Sequence, residues 1–269
     1  MKDTFLSRLA DRLILCPTTH RIPADGKSRR TIALGDEQIE IWTHRVRADH
    51  TDDVDLFVLK LIGAGGRAER ATDQPVNFWP DVRAEIWAAN PPGYGGSGGR
   101  ASLQKTPAVA TAVFDELEKH AAGRPILVLG SSLGGASAMY LAAHRRIDGL
   151  IVRNAPPLRQ VILGRFGWWN LNIGARLIAW QVPKELCCIR NAQRAFAPAV
   201  FIMSEKDRIV PSQFQRLAIE AYAGQKKLLV LPNADHVTPM TEDEAGQYKS
   251  LLDWLWTTVM AAQTRCESG

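Results

Sequence analysis

The chain has 269 residues, a formal net charge of +5, and 46% hydrophobic and 23% charged residues. That composition belongs to one globular domain with a sizeable core and excludes a disordered or collagen-like chain. The basic residues come in pairs (Arg29-Arg30, Arg145-Arg146, Lys226-Lys227) and not in long runs. Pairs of this kind read as a solvated face, so no nucleic-acid partner is expected. Cys16, Cys187, Cys188 and Cys266 lack zinc-ligand spacing and read as reduced thiols of a cytoplasmic protein. No stretch is long and apolar enough to span a bilayer.

The first element is an amphipathic helix. Phe5, Leu6, Leu9, Leu13 and Ile14 are interrupted by Arg8, Asp11 and Arg12, which is unlike the apolar run of a signal peptide. It is expected to pack on the domain edge, with loose membrane contact as the lesser alternative. Thr31–Leu34 and Ile39–Thr43 read as edge strands joined at Gly35-Asp36. Leu56–Ile62 is a continuous apolar run, hence a central strand, and enters Gly63-Ala64-Gly65-Gly66. Further strands are expected at Ala84–Ala89, Ile126–Leu129, Ile147–Arg153, Ala199–Ser204 and Lys227–Leu231. Helices are expected at Pro107–His120, directly after the Ile126–Leu129 strand, at Ser212–Ala223 and from Glu242 to about Ala261. This alternation predicts an α/β fold, a mostly parallel sheet covered by helices on both faces. Residues 156–198 break the rhythm and are too long for an ordinary loop. They carry Phe166, Trp168, Trp169 and Trp180, with helical spacing at Ile173–Ile178, and are read as a small helical cap inserted in the single domain 1–269. Ligands of open α/β sheets bind at the strand ends that such a cap would cover.

Gly130-Ser131-Ser132-Leu133-Gly134 stands between the Ile126–Leu129 strand and a helix of small and apolar residues. Strand, Gly-x-Ser-x-Gly, helix is the context of a nucleophile elbow, which lifts Ser132 above the sheet and aims helix N–H groups at what it attacks. Gly95-Gly96-Ser97-Gly98-Gly99 matches the same pattern but lies in a Pro/Gly loop with no helix starting on it. Ser97 is therefore read as a loop residue, and the overlapping Gly93, Gly95, Gly98 spacing fails the dinucleotide-binding context for the same reason.

A serine nucleophile needs a base, and the base needs an acid to orient it. His236 follows the last predicted strand, and Asp207 lies in the loop after Ala199–Ser204. The order Ser132, Asp207, His236 is that of Ser-Asp-His hydrolases. Glu205 and Asp235 are the rival acids; Asp235 adjoins the histidine, where an orienting bond is awkward. The alternative acid position after the strand ending at Arg153 holds Arg153 and Asn154. The oxyanion donors are expected to be the backbone N–H groups of Leu133 and Ala64.

With these motifs the chain resembles the α/β-hydrolase superfamily, specifically the Bem46-like or serine-aminopeptidase-like hydrolases, over roughly residues 30 to 260. The resemblance rests on Leu61-Ile-Gly-Ala-Gly-Gly66, Asn90-Pro-Pro-Gly-Tyr-Gly-Gly-Ser-Gly98, the elbow, Ser204-Glu-Lys-Asp-Arg-Ile-Val-Pro211 and Asp235-His236. Family members usually carry His-Gly at the oxyanion loop, where this chain has Ile62-Gly63. The resemblance implies a serine hydrolase that forms an acyl-enzyme without metal or cofactor. The expected substrate is a partly apolar small-molecule acyl compound, first of all a carboxylic ester, with thioesters and small amides sharing the chemistry. An acyltransferase and a non-catalytic binding protein on the same scaffold are the alternative readings.

Overall fold

The structure is a computed structural model and describes residues 4–166 and 173–267. Eight strands form one sheet: β1 (Ser28–Leu34), β2 (Glu37–Val46), β3 (Leu56–Leu61), β4 (Ala84–Asn90), β5 (Ile126–Ser131), β6 (Gly149–Arg153), β7 (Ala199–Ser204) and β8 (Lys226–Leu231). Their spatial order is β1-β2-β4-β3-β5-β6-β7-β8. β2 runs antiparallel to both β1 and β4, and every other pairing is parallel. The interior strands are apolar because both of their faces are covered. β4 is buried at all seven positions and β7 at all six.

The helices are α1 (Phe5–Leu15), α2 (Thr106–Ala121), α3 (Leu133–His144), α4 (Leu158–Phe166), α5 (Ile173–Gln181), α6 (Cys188–Ala192), α7 (Ser212–Ala221) and α8 (Glu242–Glu267). Alternation along the strands sends side chains to two cores. On one face Phe57, Val128 and Phe201 pack with Phe114 of α2 and Met139 of α3. On the other, Val58, Leu127, Ile151 and Val200 pack with Leu252 and Leu255 of α8. A third cluster lies above the strand ends, where Leu15 of α1, Tyr94, Leu133, Leu158 and Ile162 of α4, and Ala175 and Ala179 of α5 are buried together. Among the described residues no helix is long and apolar enough to cross a membrane.

The expected strands and helices are present with adjusted ends. β1 and β2 reach further than their apolar residues suggest, pairing from Ser28↔Thr43 to Leu34↔Glu37. Charged residues are at home on an edge strand, where Arg29 reaches Glu40 at 2.6 Å and the Arg30 guanidinium lies over the Trp87 ring. The described residues of the excursion between β6 and β7 include the helices α4, α5 and α6. Trp180 is 74% exposed. Trp168, Trp169 and the side chain of Phe166 lie outside the described residues.

The sheet and α3 approach so closely that glycine is required at the contact. A methyl group on Gly134 would stand 1.9 Å from the Leu61 carbonyl oxygen, whereas one on Gly246 in α8 would meet nothing within 4 Å. In urea unfolding, Gly134→Ala is expected to lose at least about 2 kcal/mol. Gly246→Ala is expected to gain about 0.5–1 kcal/mol from the lower backbone entropy of the unfolded chain.

Candidate active site

Between the last residue of β5 and the first of α3, Ser132 has φ 53° and ψ −126°. An L-residue held in such a region costs about 1–3 kcal/mol, so the surroundings must hold it there. The Ser132 N–H donates to Arg153 O at 2.8 Å, and Gly135 N–H donates to Ser132 O at 2.8 Å. A methyl on Gly130 would stand 2.3 Å from the Gly134 carbonyl oxygen, so the chain can turn back on itself only with glycine there.

The loop after β3 crosses directly against the serine. A methyl on Gly63 would lie 3.3 Å from Ser132 Cβ. Ala64 follows, exposed, in a turn whose Gly66 N–H donates to Gly63 O at 3.0 Å. Gly65 N–H donates to Leu15 O at 2.8 Å, tying this turn to the end of α1. Leu133 is the first residue of α3, so its N–H has no acceptor within the helix. An apolar cavity of about 30 Å³ lies behind the elbow, with Leu15, Ile62, Gly63, Tyr94 and Leu133 among its lining.

Asp207 and His236 meet at the same end of the sheet. His236 Nδ1 and Asp207 Oδ2 are 2.6 Å apart. The Asp207 carboxylate is fully buried and receives three more bonds. Ile209 and Val210 N–H groups donate to Oδ1 at 2.8 and 2.7 Å, and Gln215 Nε2 of α7 donates to Oδ2 at 3.1 Å. With Nδ1 engaged, Nε2 is the ring nitrogen left for a proton from a hydroxyl. The rival acids have other work. Asp235 Oδ1 accepts the Arg208 and His236 N–H groups at 2.9 and 2.7 Å, which hold its carboxyl below the usual range. Glu205 pairs with Arg216 at 3.4 Å on the surface.

Ser97 takes the place expected of a loop residue. Its Oγ donates to Asn90 O at 2.6 Å and accepts the Glu40 N–H at 2.8 Å. Asn90 Nδ2 in turn bridges Glu40 and Glu69 at 2.7 and 2.9 Å.

Comparison with known proteins agrees with this architecture. An acetyl xylan esterase from Thermoanaerobacterium sp. superposes with a TM-score of 0.62 at 12% identity, over 92% of each chain. An esterase of Pyrococcus furiosus superposes with 0.65 at 16% identity, over 91% of this chain and 97% of its own. The mouse α/β hydrolase domain-containing protein 10 superposes with 0.62 at 14% identity, over 86% of this chain and 99% of its own. The chain has the α/β-hydrolase fold. In sequence it is 29% identical over 174 residues to uncharacterized proteins of two Mycobacterium tuberculosis strains, CDC 1551 and H37Rv. That match covers 64% of this chain and 59% of the relatives' length. No family model matches the chain.

Within this hydrolase fold, three polar residues hold the site from behind and carry no sequence motif. Asn154, at the end of β6 and buried, donates from Nδ2 to Ser204 Oγ and to His236 O, each at 3.0 Å, and accepts Ser204 N–H at 2.9 Å. It thereby ties two strand ends to the histidine loop. Arg153 Nη2 donates to Thr238 O of the same loop at 2.5 Å. Gln215 adds a second bond, from Nε2 to Val210 O at 2.6 Å, and so holds both the acid and its loop. Among the described residues no group of three or more His, Cys, Asp or Glu is placed to hold a metal ion.

Lys60 interrupts the run that reads as wholly apolar, one residue before the end of β3. It is buried, and its Nζ donates to Thr72 O at 2.6 Å and Oγ1 at 3.2 Å. Burial lowers its pKa from 10.5 to about 8. Below pH 8 the lysine is charged in both the folded and the unfolded chain, and the burial cost is present in full. Between about pH 8 and 10.5 the folded chain has released the proton and the unfolded chain still binds it, so stability rises with pH. The stability of wild type minus that of Lys60→Met, from urea unfolding, is expected to increase by about 3 kcal/mol from pH 7 to 10.5. A flat difference would contradict the assigned environment.

Proposed function

We propose that this protein is a serine hydrolase that cleaves a carboxylic ester through an acyl-enzyme. The observation that carries this reading is the Asp207–His236 bond at the same sheet end as a serine in strained elbow geometry. Ser132 Oγ attacks the acyl carbonyl while His236 Nε2 takes its proton. The resulting imidazolium is held by Asp207 through Nδ1–H. The oxyanion is received by the N–H groups of Leu133 and Ala64, each such donor being worth about 3 kcal/mol in the barrier. His236 then returns the proton to the leaving alcohol. In the second step it takes a proton from water, whose oxygen attacks the acyl carbon and frees Ser132.

The described residues of the 156–198 segment act as the cap. Their buried side, with Leu158, Ile162, Ala175 and Ala179, joins Leu133 and Ile62 in one apolar cluster, which favours an apolar substrate portion. Two solved structures with the same fold are esterases, which favours an ester as substrate.

Intact-mass analysis after treatment with a fluorophosphonate tests the assignment. Wild type and Ser97→Ala are expected to take up one label and Ser132→Ala none. A Ser132→Ala protein that labels as wild type does, or a folded wild type that never labels, would overturn it. In the same preparation Asp207→Asn is expected to lower kcat toward a short soluble ester by about 10³- to 10⁴-fold, because the amide no longer selects the tautomer that presents a basic Nε2.

A further inference from the structure

Thirteen large hydrophobic side chains of the described residues are exposed, and seven of them lie on α1, α4 and α5: Phe5, Leu9, Leu13, Leu163, Ile173, Leu177 and Trp180. On α1, Phe5, Leu9 and Leu13 recur every four residues and make one stripe, with Phe5 79% exposed and Leu13 62%. Ile173, Leu177 and Trp180 form the equivalent stripe on α5, which packs against α1. The opposite sides of both helices are the buried ones, Ser7, Ala10 and Asp11 on α1 and Ala175 and Ala179 on α5. Each helix therefore has an inner face satisfied by the fold and an outer apolar face that the fold leaves uncovered.

Charge selects the occupant of that outer face. Exposed Arg12 flanks the α1 stripe, and exposed Arg176 flanks the α5 stripe. Neither helix carries an exposed acidic side chain among its described residues, since Asp11 is buried, accepts the Leu103 N–H at 2.8 Å and pairs with Arg100. Apolar stripes edged by arginine match an anionic lipid surface, in which the aliphatic and indole groups enter the acyl boundary and the guanidinium groups meet phosphates. We propose that the outer face of α1 and α5 docks the protein on an anionic bilayer.

The position of this surface gives docking a consequence for the site. Leu15, the last residue of α1, is buried beside Leu133 and Ile62, and its carbonyl accepts the Gly65 N–H of the oxyanion loop. At the end of α4, Arg165 Nη1 donates to Ile209 O in the acid loop, and Ile209 and Val237 are both exposed, Val237 by 83% next to His236. The docking helices and the mouth of the site thus share one end of the molecule. Resting on the hydrolase reading, the substrate class is an ester resident in a lipid surface.

The test uses sedimentation with sucrose-loaded vesicles, once of phosphatidylcholine alone and once of equal parts phosphatidylcholine and phosphatidylglycerol. Wild type is expected to partition onto the anionic vesicles about 10- to 100-fold more strongly than onto the neutral ones, and less strongly as salt is raised. Leu13→Ser with Trp180→Ser is expected to weaken that binding at least about tenfold. Arg12→Gln with Arg176→Gln, which leaves the apolar stripes intact, is expected to remove most of the preference for anionic lipid. Both doubles alter exposed side chains, and each is expected to keep its melting temperature and its fluorophosphonate labelling. Wild type that labels but binds neither vesicle would overturn the docking surface and leave the hydrolase reading standing; wild type that binds but does not label would do the reverse. A concentration-dependent dimer lost in Leu13→Ser/Trp180→Ser, with no vesicle binding, would assign the face to a second copy of the chain and overturn the proposal.

Discussion

Ser132 has a backbone conformation that an L-residue avoids, and the rest of the site is arranged around the contacts that hold it there. Two of these are close approaches of backbone to backbone: Gly130 against the Gly134 carbonyl, and Gly134 against the Leu61 carbonyl. A third is the hydrogen bond from Ser132 N–H to Arg153 O, which continues the β5–β6 pairing one residue past the strand. Together these lock the start of α3 onto the ends of β3, β5 and β6. The strain at one residue is small beside the burial of α3, nine of whose twelve residues are buried. The fold therefore keeps the serine in a geometry that local propensity alone would reject.

Asp207 and His236 stand at the same sheet end as the serine because they follow neighbouring strands of the same parallel sheet. Asp207 follows β7 and His236 follows β8, and the β7–β8 register aligns those ends through Ser204↔Leu231. Loops alone would leave a 2.6 Å contact loosely determined. Here Gln215, the Ile209 and Val210 N–H groups and Asn154 each hold one side of it. Donors converging on the acid and a bond on the histidine backbone are what preorganisation of a proton-transfer pair requires. Asn154 stands at the strand end weighed above as an alternative acid position, and it serves as a strut.

Much of this was legible in the sequence, for reasons that differ from residue to residue. The elbow was legible because its requirement is local: a strand, two glycines at fixed offsets and a helix of small residues. The meeting of Asp207 and His236 was legible because each lies in the loop after an apolar run, and parallel strands put such loops at one edge. The reach of β1 and β2 was not, since Arg29 and His44 interrupt the apolar pattern of an edge hairpin. Lys60 was absorbed into an apolar run because periodicity does not reveal that a buried amine finds Thr72, twelve residues on. Asn154 and Gln215 carry no motif, since their role comes from partners 50 residues or more away for Asn154 and from a turn of helix facing a loop for Gln215. The tryptophans marked the excursion as unusual, yet aromatic content does not say which way a side chain points, and Trp180 points outward. That exposure is what a surface in contact with lipid would show.

The proposed mechanism transfers the acyl group to Ser132 Oγ. Its most direct test is to quench the enzyme with acid during the first turnovers of p-nitrophenyl acetate and map the acetyl group by peptide fragmentation. The expected result is one acetyl group on Ser132, appearing with the burst of nitrophenol and disappearing as turnover ends. An acetyl group on Ser131 or Ser97, or turnover with no acylated serine at any time, would contradict it.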